Sequence, residues 1–316
     1  LKSYCASRVD LHLDSELVTA LRRTGATFKA SLFATLFGAF NVLVNRLSQQ
    51  EDLVVGIPAA GQSQGDYGGL VGHCVNMLPI RSTVLRTETF SELLGRVRAA
   101  LLDAQEHQSF TFGKLLTKLP LPRDPSRLPL VSVIFNVDRA SSDVHFPELT
   151  HRVFSNPRAF ENFDLFLNAV EVDGKLELEC QYNTDLFDAS TITRWLASYE
   201  TLLRSITQEP TALVGHLNAV SEADRQQISA WNKRGDAEFP RDRCAHDLVG
   251  AVAQANPDKV ACEFQGQSLS YAELNERAEA FARKLRSMGV RQGSLVGLCV
   301  ERSPALIVGA LAIWKA

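Results

Sequence analysis

The sequence predicts an α/β protein: a lobe built on a mixed sheet with packed helices, then a linker, then the unfinished start of a second α/β domain. Three observations predict it. Helical and strand periodicities alternate along the chain, a hairpin signature sits at Asp173-Gly174, and a fresh helix–strand–turn–helix pattern begins beyond a charged, aperiodic stretch from Gly235 to Arg243. With 316 residues and 45% hydrophobic content there is material for at least one good core, and the length suits two domains or one and a half.

The elements follow in order. Asp14 is placed to cap a short helix whose Leu17, Val18 and Leu21 share a face, with Gly25 as its left-handed stop. From Thr27 to Ser48 the apolar residues run nearly all round, which predicts a helix buried on several sides. Leu53–Ile57 is a continuous apolar run before Pro58 and reads as a buried strand ending in a loop. The glycine-rich stretch 61–69 lacks the Lys-Ser/Thr pair of a phosphate loop and reads as a loop beside a binding cleft. Phe90, Leu93, Leu94, Val97 and Leu101 mark an amphipathic helix, followed by a strand over 130–137.

Around Asp173-Gly174, segments 163–171 and 175–182 form the hairpin, and Leu176, Leu178, Cys180 and Tyr182 alternate with polar neighbours to give one buried and one wet face. A helix capped by Asp188 carries Ile192, Trp195, Leu196, Tyr199 and Leu202 against that sheet. The first folded unit is expected to span 1–209, with a linker over 210–243; within and just before that linker, 207–220 reads as a connector and Ser221 to Trp231 as a short helix. In the second unit, 244–316, the expected elements are a helix over 248–255, a strand over 260–264 and a turn at 265–267. A capping box at Ser270–Glu273 then opens a long helix closed by Gly289, a strand covers 295–300, and a helix starts at Ser303-Pro304.

Charge and composition exclude several classes. A net charge of −3, with 33 basic and 36 acidic residues spread along the chain, offers no footprint for nucleic acid or anionic lipid. The longest apolar run, 32–44, is too short to span a bilayer, and no signal peptide precedes it, so a membrane partner is not expected. Cys5, Cys74, Cys180, Cys244, Cys262 and Cys299 show no metal-ligand rhythm and read as reduced thiols of a cytoplasmic protein. The chain starts at Leu1 and stops inside a helix at Ala316, so neither end reads as a natural terminus.

Two stretches carry a resemblance: Leu70-Val-Gly-His-Cys-Val-Asn-Met-Leu-Pro-Ile-Arg81 and Arg123-Asp-Pro-Ser-Arg-Leu-Pro-Leu-Val-Ser-Val-Ile-Phe-Asn136. With 52–61, Glu106–Phe110 and Asn183–Asp188 they resemble, in order, motifs of the C-terminal lobe of condensation domains from nonribosomal peptide synthetases. Residues 256–261, 269–274 and 309–316 resemble the start of an adenylation domain, the order found in an elongation module. The resemblance implies a chloramphenicol-acetyltransferase-like lobe, one half of a V-shaped pair enclosing a channel. Two phosphopantetheine arms enter that channel, and an acceptor amine attacks a donor thioester.

The family's catalytic HHxxxDG belongs to the other lobe and does not occur in this sequence, so the chain by itself is expected to be inactive. The partners implied are the N-terminal lobe, donor and acceptor carrier proteins, and the rest of the adenylation domain. ATP and Mg are implied only for a complete adenylation domain, since its phosphate loop would lie beyond Ala316. Where many relatives carry an arginine this chain has Gln62, which puts the usual inter-lobe ion pair in doubt. Asn162–Asn168 with Met77–Arg81 resemble condensation domains that follow polyketide synthase modules. The rival readings are a carrier-docking lobe without turnover and a stand-alone acyltransferase using coenzyme A; epimerisation is disfavoured by the adenylation-like tail.

Four residues are the candidates for the substrate channel: Gln62, His73, Asn76 and Arg81. Each has a plainer reading. His73 and Cys74, read as neighbours in a strand, point to opposite faces and make no thiolate–imidazole pair. Asn76 can tie down backbone, and Arg81 can pair with a carboxylate. His107 follows a helix with no acidic orienting partner nearby in sequence and is read as structural, as are Arg123 and Arg127 at a strand entry and Tyr271 and Glu273 at a helix start. Leu306, Ile307 and Trp314 are expected to stay partly unburied, with local disorder or a domain swap at the C-terminus.

Overall fold

A computed structural model describes residues 2–61, 71–122, 124–139, 155–172, 174–233 and 240–316, and divides into two compact units, Leu1–Asn232 and Lys233–Ala316. In the first unit six strands form one mixed sheet in the order β1-β6-β5-β4-β2-β3. The strands are β1 (Ala6–Leu13), β2 (Asp52–Ala60), β3 (Val75–Thr83), β4 (Val133–Arg139), β5 (Leu165–Val172) and β6 (Lys175–Asn183). Pairing is antiparallel except for β2–β4 and β4–β5, so the class expected from the sequence is what folds.

One face of this sheet is covered by helices α1 (Ser15–Thr27), α2 (Leu32–Ser48), α3 (Phe90–Glu106) and α5 (Ala189–Gln208), while the short α4 (Phe112–Lys118) touches β3. α2 is buried nearly all round because it lies between the sheet and its neighbours, as its sequence predicts. Its Phe37 and Phe40 pack on Phe135 of β4 at ring-centroid distances of 5.6 and 5.3 Å. Tyr199 of α5, wholly buried, donates its hydroxyl to Leu36 O at 2.8 Å, which satisfies the polar tip that burial would otherwise penalise.

Several expectations need correction. Gly25 does not stop α1; the helix continues to Thr27 and the left-handed residue is Lys29, with φ 56°. Gly25 is instead a point of close approach, where an added Cβ would lie 2.6 Å from Thr35 Oγ1 and 2.8 Å from Ala30 O. β2 does not end before Pro58: Pro58 pairs with Met77 across β3. β4 joins β2 only at Gly56↔Ile134, so at Pro58 β2 has β3 as its one ladder partner and the missing N–H costs no second ladder bond. The segment read as a connector is part of the core: Val214 and Leu217 are buried, Leu213 bridges Thr89, and Arg46 donates to Val214 O at 2.8 Å and to Leu217 O.

The Asp173-Gly174 hairpin is present, with Gly174 at φ 75°, while Asp173 lies outside the described residues. Asp14 caps α1 through Leu17 N at 2.8 Å; Asp188 stands at the α5 N-cap without a side-chain bond. α6 (Glu222–Lys233) starts where the sequence predicts, with Asp224 N donating to Ser221 Oγ.

In the second unit α7 (Ala245–Ala255), the hairpin β7 (Val260–Phe264) and β8 (Gln267–Ser270), α8 (Tyr271–Ser287) and α9 (Pro304–Lys315) follow the expected order. Both halves of the Ser270/Glu273 capping box form, and Gly289 follows α8 at φ 98°. Residues 295–300 are not a strand: among the described residues no strand pairs with them, and an apolar run without a ladder partner has nowhere to place its N–H and C=O groups. Leu306, Ile307 and Trp314, on α9, remain 42, 42 and 58% exposed, as expected.

A polar ladder on the open face of the sheet

The face of the first sheet away from α1, α2, α3 and α5, bordered by the start of α4, bears a cleft of about 940 Å³. Register decides what lines it. Ile134↔Phe166↔Gln181↔Arg8 and Asn136↔Asn168↔Glu179↔Asp10 lie in line across β4, β5, β6 and β1, and a period of two sends both rows to this face while Phe135, Leu167 and Cys180 go to the core. Burial accordingly pushes the Cys180 thiol far above its ordinary range, which removes it from any nucleophilic role.

The second row is hydrogen-bonded from end to end. Asn136 Nδ2 donates to Asp138 Oδ1 at 2.9 Å and to Asn168 Oδ1 at 3.1 Å, and Asn168 Nδ2 donates to Glu179 Oε2 at 3.2 Å. Glu179, 7% exposed, takes Arg8 Nη1 at 3.2 Å and the Ser155 hydroxyl on Oε1. A carboxylate that has left water is compensated by three donors, one of them cationic. In the first row, the Arg158 guanidinium sits 5.7 Å over the Phe166 ring and pairs with Glu161 at 2.9 Å. The Gln181 amide, oriented to satisfy both ends, donates to Glu161 Oε2 and accepts from Arg158 N.

The sequence candidates fare differently. Asn76 lines the cleft and pins the loop that enters α4: its Nδ2 donates to Gln108 O at 2.8 Å and Phe110 O at 3.3 Å, and its Oδ1 accepts from Phe112 N at 3.1 Å. His73 lines the same cleft, exposed, on the approach to β3; neither it nor Cys74 lies in a strand, so opposite strand faces are not what separates them. Arg81 lies outside the cleft lining and forms a bidentate pair with Asp52 at 2.9 and 2.8 Å. Hydrogen bonding to Arg81 holds the Asp52 carboxyl below its usual range. Gln62 and Arg123 lie outside the described residues, and Arg127 pairs with Asp124 at 2.7 Å.

His107 does have an acidic neighbour, one helical turn back. Its Nδ1 lies 2.8 Å from Asp103 O and 3.6 Å from the Asp103 carboxylate, which together raise its pKa. It is exposed and absent from the cleft lining. Sequence reasoning missed Arg8, Asn168 and Glu179 as site residues. The alternation in β6 already placed Glu177, Glu179 and Gln181 on one side, but whether that side meets water or a cleft depends on what else packs there.

Comparisons with known proteins agree in one direction. The family model for the condensation domain matches residues 1–229, and that for AMP-binding enzymes matches residues 250–316. Surfactin synthase subunit 1 of Bacillus subtilis (strain 168) is 34% identical over 317 residues, covering 100% of this chain and 9% of that protein. Tyrocidine synthase 3 of Brevibacillus parabrevis is 33% identical over 317 residues, 100% of the chain and 5% of its own length. The chain thus spans 9% or less of these relatives.

Among solved structures, a four-domain nonribosomal peptide synthetase bound to AMP and glycine superposes with a TM-score of 0.73 at 22% identity, over 99% of this chain and 25% of that one. The condensation domain of the monacolin K polyketide synthase MokA gives 0.59 at 18% identity, over 66 and 48%. At these identities the likeness is one of fold.

Proposed function

Because the chain belongs to the condensation-domain family over residues 1–229, we propose that its first unit is the C-terminal lobe of a condensation domain within a nonribosomal peptide synthetase module. Its open sheet face is one wall of the channel in which two carrier-bound thioesters meet. The observation that carries this reading is the order of the two family matches, condensation then AMP-binding, on one chain. The same order supports the reading against a free coenzyme A acyltransferase, which has no use for an adenylation start.

The reaction assigned to the parent synthetase is amide formation: the amine of an acceptor aminoacyl thioester attacks the donor carbonyl, a C–N bond forms, the C–S bond breaks, and the donor's pantetheine thiol leaves with a proton. Holding two thioesters in line removes much of the entropic barrier to this step. The lobe's part is to shape and align, since HHxxxDG is not among its residues. The partners are the histidine-bearing lobe, donor and acceptor carrier proteins with their phosphopantetheine arms, and the rest of the adenylation domain, where ATP and Mg would act.

The test is single-turnover amide formation between a donor acyl-carrier and an acceptor aminoacyl-carrier, with the chain alone and with the histidine-bearing lobe added. Product only in the mixture supports a split condensation domain. Product from the chain alone overturns the assignment of catalysis to the other lobe. Carrier binding without product in either sample favours the docking-lobe alternative.

A further inference from the structure

We propose that Cys244, His246 and Asp247, at the start of α7, are a binding site for a divalent transition-metal ion, zinc being the one their donor atoms suit best. The site belongs to the second unit alone and owes nothing to the cleft on the first sheet.

A helix start brings the three together. Cys244 is the N-cap of α7, and His246 and Asp247 are the second and third residues of its first turn, so one short span carries a thiol, an imidazole and a carboxylate. One donor atom from each lies within 4.8 Å of the other two, and among the described residues no other three His, Cys, Asp or Glu side chains are gathered in this way. His246 Nε2 and Asp247 Oδ1 are 3.6 Å apart. In a tetrahedral zinc site two oxygen or nitrogen ligands stand about 3.4 Å apart, and a thiolate and a nitrogen about 3.6 Å. One edge of the coordination shell is therefore close to its bound length already. The exposed Cys244 side chain has about 1 Å left to close, which a small turn at χ1 supplies.

The carboxylate is held by a bond that leaves its second oxygen to a metal. Asp247 Oδ2 accepts from Cys244 N at 3.1 Å, which ties the carboxylate to the helix end and keeps Oδ1 as the oxygen beside His246. Capping accounts for Oδ2 and asks nothing of the imidazole. Charge balances as well. The α7 N-terminus is positive and Arg243 Nη2 donates to Asp247 O at 3.3 Å, so a bare dication would be repelled. Thiolate and carboxylate together carry two negative charges, so their zinc complex is neutral, and both anions lie where the helix end favours them. The Zn–S bond forms as the thiol proton passes to solvent, the imidazole binds in its neutral form, and a water takes the fourth position. Sulfur and nitrogen donors select zinc over magnesium or calcium, which take oxygen. The ligand rhythm that the six cysteines lack among themselves is thus supplied by a histidine and an aspartate.

The experiment is thiol footprinting of the 316-residue chain, stripped of metal with a chelator and titrated with zinc chloride at neutral pH, the alkylation rate of each cysteine being read by mass spectrometry. Cys5 and Cys299, also exposed, are the internal controls. Zinc is expected to slow alkylation of Cys244 by about tenfold and to leave Cys5 and Cys299 unchanged, while His246→Ala and Asp247→Asn each remove most of that protection. Asparagine keeps a side-chain oxygen for the cap, so protection lost in Asp247→Asn does not report a lost helix start. Cobalt in place of zinc gives a second reading: a thiolate-to-cobalt absorption band in the unaltered chain that is absent from Cys244→Ser. The proposal is overturned if zinc protects all three cysteines alike or none of them. It is also overturned if either variant keeps full protection, since the thiol then takes the metal without that neighbour, or if the cobalt band survives Cys244→Ser. None of these outcomes bears on the condensation reading, which rests on the first unit.

Discussion

Replacing Arg46 by methionine tests whether the segment after α5 belongs to the first unit. The guanidinium leaves the last turn of α2 and donates to Val214 O and Leu217 O, holding a loop whose Val214 and Leu217 are buried against the core. Desolvation, with Arg86 as a second cause, lowers the Arg46 pKa, so part of the bonding gain already offsets the cost of taking the cation out of water. Two hydrogen bonds to a charged donor are worth about 1.5–3 kcal/mol each before that offset. Methionine keeps the apolar stem, so the net loss is about 2–3 kcal/mol. Urea denaturation followed by the Trp195 signal, edge-on to Phe187 at 5.0 Å, is expected to shift its midpoint down by about 1 M. Amide exchange at 212–219 should rise well ahead of global unfolding. An unchanged midpoint with unchanged protection at Val214 would refute the argument and return this stretch to the status of a connector.

Three further outcomes follow from the geometry. Gly25→Ala should destabilise the first unit by about 1–3 kcal/mol, because the new methyl meets Ala30 O and Thr35 Oγ1 at less than van der Waals distance; an unchanged melting midpoint would mean that the α1–α2 turn gives way freely. Asn76→Ala leaves Gln108 O, Phe110 O and Phe112 N without their side-chain partner, so exchange at Phe112 should quicken and stability fall by about 1–2 kcal/mol, which thermal unfolding with amide exchange reads directly. Asp14, whose carboxyl is held below its ordinary value first by the hydrogen bond from Arg204 and then by Leu17 N, binds its proton less readily folded than unfolded. Its contribution is therefore present above the ordinary carboxylate range and is lost as pH falls through the folded pKa. The stability gap between the native chain and Asp14→Asn should close between about pH 5 and about pH 2, and a gap that widens on acidification would contradict the sign.

What could be read without coordinates was what a local pattern can carry. Leu17, Val18 and Leu21 with Asp14, and Ser270 with Glu273, each describe an interaction that closes within a few residues, and each is present; in β6 the apolar face is buried as expected, but Glu179 and Gln181 on the face expected to be wet are buried as well. The ordered motifs that placed the chain in its family were legible too, since they are properties of the string itself. Where a reading needed a partner far along the chain, it failed or stood incomplete. Whether 295–300 forms a strand depends on a neighbouring ladder, and whether 210–219 is a connector depends on Arg46 reaching across from α2.

The candidate site divides in the same way. The sequence by itself determined the family, the class of fold and most of the elements. Only the tertiary structure decided that Arg8, Asn136, Asn168 and Glu179 form one ladder, although they come from four strands and Arg8 and Glu179 are 171 positions apart. The reason is physical: a strand's period of two fixes which side chains share a face, but register between strands fixes which of them meet, and register is set by the core packed behind the sheet.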